Sequence, residues 1–261
     1  MIIKHRVALL LAAATLLGTS LSVTAAEQLR FGIDPTFPPF EYKTPDGKLA
    51  GFDIDLGNAI CAELKAQCSW VQNSFDGLIP ALQAKKFDAI LSSLSITQER
   101  SKAILFSNKL FNTPAFLVTA KDSGLEPTAE SLKGKRIGVQ QGSVFETYAN
   151  KHWRTSGVEV IAYQDAESVY ADLTTGRLDG TLDDAVVVNT TLLSKPQGSN
   201  FTLVQPQVKD DDIFGPGTGI GLRKTDAALQ ARLNAAIATL RANGTYDRLA
   251  KKYFDFNIYG E

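Results

Sequence analysis

Hydroxyl and guanidinium side chains follow one short apolar run of the sequence, in a pattern expected of a carboxylate-binding site. Ser92, Ser93 and Ser95 follow this run, and the segment Thr97 to Arg100 then begins a helix. The Arg100 guanidinium could hold a carboxylate through two hydrogen bonds, with help from neighbouring hydroxyl groups. The same spacing equally allows Arg100 to be a surface residue on a helix face.

A second stretch, Gln140 to Val144, could also contact an anion. It ends one predicted strand and leads into a helix, and Gly142 would let the backbone approach a ligand. Free N–H groups at the helix start attract negative charge. A plain strand-to-helix turn with Ser143 as the N-cap accounts for these residues equally well.

Acidic and aromatic residues at other strand ends predict contacts for a cation. A buried carboxylate at Asp184 would need a positive partner, although the residue could instead cap the helix that starts at Ala185. Asp34 follows the first strand, with Phe37 in the same proline-rich loop and Phe75 after another strand. Such rings could form a platform for a cation or a flat group, or they could be core residues.

The composition argues against several other functions. The 27 basic and 28 acidic residues give no positive excess for nucleic acid. Two cysteines and two histidines nearly exclude a zinc site of those residues, and His152 is expected to be a solvated surface residue. The sequence contains no nucleophile elbow, phosphate loop or dinucleotide fingerprint. We therefore expect no catalytic residues, no metal and no cofactor.

A short internal sequence repeat, called the echo below, shows which elements must position these residues. Arg30 to Asp34 matches Arg136 to Gln140, and Leu82 to Ser93 matches Leu173 to Asp184. Strands that alternate with helices indicate βαβ units and parallel sheets. Ligands of such sheets lie beyond the carboxyl ends of the strands, so the polar residues would line a cleft between two similar lobes.

Segments that interrupt the alternation of strands and helices predict where one lobe ends and the other begins. Lobe 1 is predicted to comprise residues 27–112 and 216–261, and lobe 2 residues 116–208, with hinges near 112–116 and 209–215. Asn112 to Ala115 is predicted to be a crossing strand. Two crossings between lobes form a hinge.

The N-terminal segment predicts export. Residues 1–26 have a basic start, a short apolar run and a small-residue end, which are typical of a cleaved secretory signal rather than a membrane anchor. In an oxidising compartment Cys61 and Cys68 are expected to form one disulfide, the alternative being two reduced core thiols.

The mature chain resembles a known family, the periplasmic polar amino-acid binding proteins of ABC importers, near the members that bind lysine, arginine, ornithine and histidine. The likeness is carried by six segments: Gly51 to Asn58, Asp76 to Leu82, Ser92 to Arg100, Leu132 to Lys135, Gly176 to Asp179, and Gly244 to Gly260. It implies the two-lobed type II periplasmic binding protein fold, with mainly parallel sheets flanked by helices and two hinge strands.

The resemblance also implies the role of each residue. Arg100, Ser95 and the amide of Val144 would grip the ligand α-carboxylate. Asp184 and the Ser93 carbonyl would hold the α-ammonium. The side chain would lie between Phe37 and Phe75, and its far end would face Asp34 and Ser92.

Several positions depart from the family pattern. Phe37 stands where binders of basic amino acids usually carry Tyr, and Val144 where Thr is common. Gln140 and Phe145 replace residues that are commonly apolar and polar, respectively. Asp34 also occurs in glutamine-binding relatives, so glutamine, another polar amino acid or an opine remain alternative ligands.

The expected function is capture of a free basic amino acid in the periplasm for an inner-membrane ABC permease. The protein is expected to act as a monomer and to bind no nucleic acid. Two alternatives from other classes are an enzyme similar to cyclohexadienyl dehydratases and a sensing module for a chemoreceptor.

Overall fold

The structure is a computed structural model that describes residues 27–260. The predicted signal segment, residues 1–26, lies outside the described residues. The strands are β1 (Gln28–Ile33), β2 (Thr36–Phe37), β3 (Glu41–Lys43), β4 (Leu49–Ala50), β5 (Gln67–Gln72), β6 (Ala89–Ile90), β7 (Ile104–Phe106), β8 (Ala115–Ala120), β9 (Arg136–Gln140), β10 (Glu159–Tyr163), β11 (Gly180–Asp184), β12 (Phe201–Val208) and β13 (Gly221–Arg223). The α-helices are α1 (Phe52–Glu63), α2 (Leu78–Gln83), α3 (Gln98–Ala103), α4 (Val144–Tyr148), α5 (Ala166–Thr174), α6 (Ala185–Val188), α7 (Asp211–Phe214), α8 (Ala227–Ala242) and α9 (Thr245–Ala250).

Two five-stranded sheets form the centres of two lobes, as the echo predicts. Their strand orders are β5–β1–β6–β13–β7 and β10–β9–β11–β8–β12. In each sheet the first three strands pair in parallel, the fourth strand (β13 or β8) runs antiparallel to them, and the edge strand (β7 or β12) pairs antiparallel with the fourth. Four strands of each sheet therefore share one direction, so the sheets are mainly parallel, as predicted, and the strand that follows each crossing runs the other way. Strand β13 is the part of the first sheet that comes from after the second crossing.

Equivalent arginine and aspartate residues form the same contact in the βαβ unit of each lobe. The backbone N–H of Arg30 donates to Asp88 Oδ2 at 3.0 Å, and that of Arg136 donates to Asp179 Oδ2 at 2.8 Å. In both lobes the arginine side chain also bonds the same carboxylate. An equivalent contact therefore ties the first strand of each unit to the turn before the third.

Apolar side chains of the first strand in each lobe are buried. Phe31 and Ile33 of β1 are fully buried, and Ile137 and Val139 of β9 are their counterparts in lobe 2. These residues alternate along their strands, so they share one face of each sheet. The polar residues that follow the strands are left at the sheet edges.

The two crossings differ from the prediction of hinge strands. Of the segment predicted as a crossing strand, only Ala115 lies in β8, because Pro114 has no N–H to donate to a ladder. The second crossing, residues 209–215, contains the short helix α7. Asp210 caps this helix by accepting bonds from the N–H groups of Asp212 and Ile213.

A disulfide joins Cys61 and Cys68, which confirms that prediction. It links the last turn of α1 to the edge strand β5. Helix α1 begins at Phe52, directly after Gly51, which adopts a φ of 126° against the carbonyl of Phe40.

Candidate functional site

A cavity lies between the carboxyl-end edges of the two sheets. Ten of the eleven residues predicted to bind the ligand line it: Asp34, Phe37, Phe75, Ser93, Ser95, Arg100, Gln140, Ser143, Val144 and Asp184. Their direct contact with a ligand stays a prediction, but the fold brings them to one place.

Arg100 reaches the cavity from the first turn of α3. The Thr97 hydroxyl caps this helix by accepting a bond from the Arg100 N–H at 3.1 Å. The guanidinium donates to the carbonyl oxygens of Ser95 and, across the cleft, Gly142, each at 3.0 Å, and its carbon lies 5.5 Å from the Phe75 ring centre. Among residues 27–260 no carboxylate pairs with it. Loss of water around it lowers the pKa of Arg100 to about 10, so it stays cationic at neutral pH.

Asp184 caps a helix and also lines the cavity. Its Oδ1 accepts bonds from the N–H groups of Val186 (2.8 Å) and Val187 (3.2 Å), which caps α6. Its Oδ2 accepts a bond from the Thr113 hydroxyl and belongs to a carboxyl that lines the cavity. Burial raises the pKa of Asp184 to about 6. No basic side chain of the described part of the chain neutralises it.

The turn from Gln140 to Val144 closes the cavity from lobe 2. Ser143 caps α4 by accepting the Glu146 N–H at 3.1 Å, so the plain turn interpretation holds. Val144 is the first residue of α4, where helical N–H groups have no partner inside the helix. The turn therefore offers a backbone donor beside the Arg100 guanidinium.

Asp34 connects the two lobes at another side of the cavity. Its carboxylate accepts bonds from the Thr36 hydroxyl and from the Gln140 side-chain amide, each at 3.1 Å. Burial raises the pKa of Asp34 to about 6. Phe37 and Phe75 line the same cavity. A carboxyl group, an amide and two rings are thus available to one ligand side chain.

Ser92, the eleventh predicted residue, lies behind the lining. It is fully buried, and its hydroxyl accepts the Asp34 N–H at 3.0 Å and donates to Glu41 Oε1 at 3.2 Å. The structure thus gives Ser92 a position from which it orients two carboxyl-bearing residues rather than a place on the cavity surface.

Sequence reasoning missed Glu41, which lines the cavity although it is 1% exposed. It accepts bonds from the hydroxyls of Ser92 and Ser93. Its surroundings in the sequence, Glu-Tyr-Lys before a polar turn, look like a solvated edge strand, so no local signal marked it. Half of the other lining residues that were missed come from the crossings, which must pass beside any cleft between the lobes. The full set is Phe111, Asn112, Thr113, Ala115, Phe145, Phe214, Gly217 and Thr218.

The described lining residues carry three carboxyl groups and one guanidinium. Such a surface suits a ligand that brings one negative and two positive groups. Within residues 27–260, no group of three or more His, Cys, Asp or Glu side chains is placed to hold a metal ion. Over the same residues, no helix combines the length and apolar character that crossing a bilayer requires.

Comparison with known proteins identifies close relatives. Residues 29–256 match the family described as bacterial extracellular solute-binding proteins, family 3. The histidine-binding periplasmic protein of Escherichia coli K12 is 50% identical, covering 92% of this chain and 94% of that protein. The lysine/arginine/ornithine-binding periplasmic protein of the same organism is 51% identical, covering 94% and 95%.

A solved structure shares the architecture. A Salmonella typhimurium periplasmic binding protein with high arginine specificity superimposes with a TM-score of 0.81 at 33% identity, covering 88% of this chain and all of that one.

Proposed function

The chain belongs to family 3 of the bacterial extracellular solute-binding proteins, and from this premise we propose that it captures a free basic amino acid in the periplasm for an ABC importer. The relatives named above bind histidine, lysine, arginine or ornithine, according to their names. We further propose lobes at residues 27–112 with 216–261, and at 116–208, which meet around the ligand.

One observation carries this proposal: unpaired charges of opposite sign face one cavity from different lobes. Arg100 from lobe 1 has no carboxylate partner, and Asp184 from lobe 2 has no cationic partner, among the described residues. Burying unpaired charge is costly unless a partner arrives. The α-carboxylate and α-ammonium of a free amino acid supply one partner each, through charge-assisted hydrogen bonds of roughly 1.5–3 kcal/mol.

Two further carboxyl groups in the cavity favour a ligand whose side chain is a cation. Asp34 and Glu41 line the cavity, and each is at least 95% buried. Arginine fits this arrangement best, because a guanidinium offers five N–H donors in a plane and can bond two carboxylates at once. We therefore propose arginine as the preferred ligand, followed by lysine, ornithine and histidine.

Calorimetric titration with a panel of amino acids tests this ligand class. Tight binding of arginine and weak binding of its neutral isostere citrulline would support the proposal. Equal affinity for citrulline or glutamine would contradict the cationic preference. The Asp34→Asn variant should narrow the gap between arginine and citrulline, because it removes one negative charge from the cavity.

The remaining roles are proposals of the same kind. We propose a mature periplasmic monomer that delivers its ligand to an inner-membrane permease and catalyses no reaction. Incubation with prephenate and arogenate checks the last point, since release of product would place the chain among the dehydratases. Reconstitution with an ABC amino-acid permease in vesicles, followed by measurement of arginine uptake, checks the transport role.

A further inference from the structure

Glu41 and Asp53 bring two buried carboxyl groups together at the edge of the cavity. Glu41 is 1% exposed and Asp53 is fully buried. Both meet at Ser93, whose hydroxyl donates to Glu41 Oε2 at 2.9 Å and whose backbone N–H donates to Asp53 Oδ2 at 2.8 Å. Ser93 adopts a φ of 48°, an unusual conformation for a residue other than glycine, and this conformation points both donors at the pair.

No positively charged side chain of the described residues pairs with Glu41 or Asp53. Neither carboxyl takes part in an ion pair within residues 27–260, and Asp53 Oδ1 has no hydrogen-bond partner there although it is buried. The ionisable groups that face the pair are Asp34, from the end of β1, and Tyr246, from α9. Asp34 is acidic, and the Tyr246 hydroxyl donates to the Leu110 carbonyl instead.

Two carboxyl groups buried side by side, with no cation next to them among the described residues, favour a state in which one of them keeps its proton. Burial, with the neighbouring charge of Asp53, raises the pKa of Glu41 well above its usual range, and burial raises that of Asp53 to about 7. A retained proton lets one carboxyl donate a hydrogen bond to the other. A cation placed beside Glu41 removes the need for that proton.

We propose that Glu41 and Asp53 form a proton-binding site that empties when a cationic ligand side chain enters the cavity. Glu41 is the member that lines the cavity, and Asp53 lies behind it as a positioning residue. A guanidinium or ammonium group therefore exchanges with a proton, which passes to solvent. A ligand with a neutral side chain leaves the proton in place. This inference rests on the proposed capture of a basic amino acid.

Calorimetry in buffers of different ionisation enthalpy measures the exchange directly. At pH 6.5 the slope of apparent binding enthalpy against buffer enthalpy gives the number of protons released when arginine binds. Glu41→Gln and Asp53→Asn should each lower this number by up to one relative to the unmodified protein, because each removes one of the two carboxyl groups that hold the proton between them. The affinity of the unmodified protein should also rise with pH, by at most about tenfold per unit for one proton.

Asp55→Asn is the matched control. Asp55 lies on the same helix but faces Lys252 and Tyr253 on the outside of the protein, so its removal should leave proton release unchanged. Burial also raises the pKa of Asp34 and of Asp184, so the difference between variants, rather than the total release, measures the pair. Proton release by both pair variants equal to that of the unmodified protein would overturn the proposal.

Infrared difference spectroscopy provides a second measurement that needs no variant to bind tightly. Addition of arginine to the unmodified protein should remove a band of a buried protonated carboxylic acid, and Glu41→Gln should lack that band before any ligand is added. Absence of a ligand-sensitive acid band in the unmodified protein would overturn the proposal. Failure of every basic amino acid to bind would instead overturn the proposed function on which it rests.

Discussion

Residues at or beside the cavity also cap helices, and this capping fixes the positions of the charged groups that face the cavity. Asp184 caps α6, Ser143 caps α4, and Thr97 caps the helix that carries Arg100. A cap fixes the position of its side chain with hydrogen bonds that need no ligand. The charged groups are therefore held in place before a ligand arrives, which reduces the entropy lost on binding.

The side chain of Arg100 is expected to decide binding of every amino-acid ligand. Arg100→Ala removes the guanidinium that faces the cavity, so affinity for arginine should fall at least about hundredfold, given roughly 1.5–3 kcal/mol for each charge-assisted bond. Calorimetric titration measures the loss. Arg154→Ala is the control, since Arg154 is exposed and bonds only Asn150. Near-normal affinity in Arg100→Ala would remove Arg100 from the site.

Sequence reasoning located many of the cavity-lining residues because the pattern of strands shows where each strand ends. The same pattern does not show which hairpin residues are buried. Asp34, Gln140 and Asp184 each end or follow a strand of the echo, and all three line one cavity. Glu41 was missed because its burial arises from the packing of a small separate sheet, β2–β3–β4, which no periodicity reveals.

At the scale of elements, the two lobes repeat one order of strands. Matching the echoed segments predicted the parallel βαβ units, and the sheets place β1 and β9 at equivalent positions. The crossings were not predictable in the same way. Their backbone is fixed by single contacts, such as the Asp210 cap of α7 and the bond from Ala185 N–H to the Pro114 carbonyl, rather than by a repeating pattern.

The disulfide is expected to stabilise lobe 1 without affecting the site. Cys61 and Cys68 are seven residues apart and do not line the cavity. Closing so short a loop restricts the unfolded chain by about 2.5 kcal/mol. Replacing both cysteines with alanine should lower the free energy of unfolding in urea by that amount and leave arginine affinity within about twofold. A large loss of affinity would show that the link also shapes the cavity.

At the scale of the whole molecule, buried carboxyl groups should make the ligand-free protein less stable as pH rises. Burial raises the pKa of Asp34 and Asp184 to about 6, and that of Asp53 and Asp183 to about 7. The folded state then binds more protons than the unfolded state between about pH 4 and 7, so stability present at pH 4 is lost through this window.

Urea denaturation at pH 5, 6 and 7 checks this sign. Surface carboxylates with lowered pKa values, such as Asp88 and Asp179, act in the opposite direction but in a window at more acidic pH. Saturating arginine should weaken the pH dependence, because it supplies the missing positive charge. A free energy of unfolding that rises from pH 5 to 7 without ligand would contradict the prediction.

A glycine lies where the backbones of the two lobes come close together. Gly142 of lobe 2 accepts the Arg100 guanidinium bond, and a Cβ atom there would lie 2.9 Å from the Asp76 Cα of lobe 1. Beside it, Gln141 Nε2 donates to Asp76 Oδ2 at 3.3 Å. Contacts from both lobes favour a closed form only if the backbones can meet this closely.

Gly142→Ala is therefore expected to hold the lobes apart. Small-angle scattering should show arginine contracting the unmodified protein but not the variant, whose affinity should also fall. Gly142 has a φ of 75°, so alanine costs backbone strain as well. Gly176→Ala separates the two effects, because Gly176 has a φ of 76° in the same lobe and no atom near its Cβ position. The Gly176→Ala variant should be less stable than the unmodified protein but should still close when arginine binds. If Gly142→Ala closes to the same extent, the lobes meet at other residues.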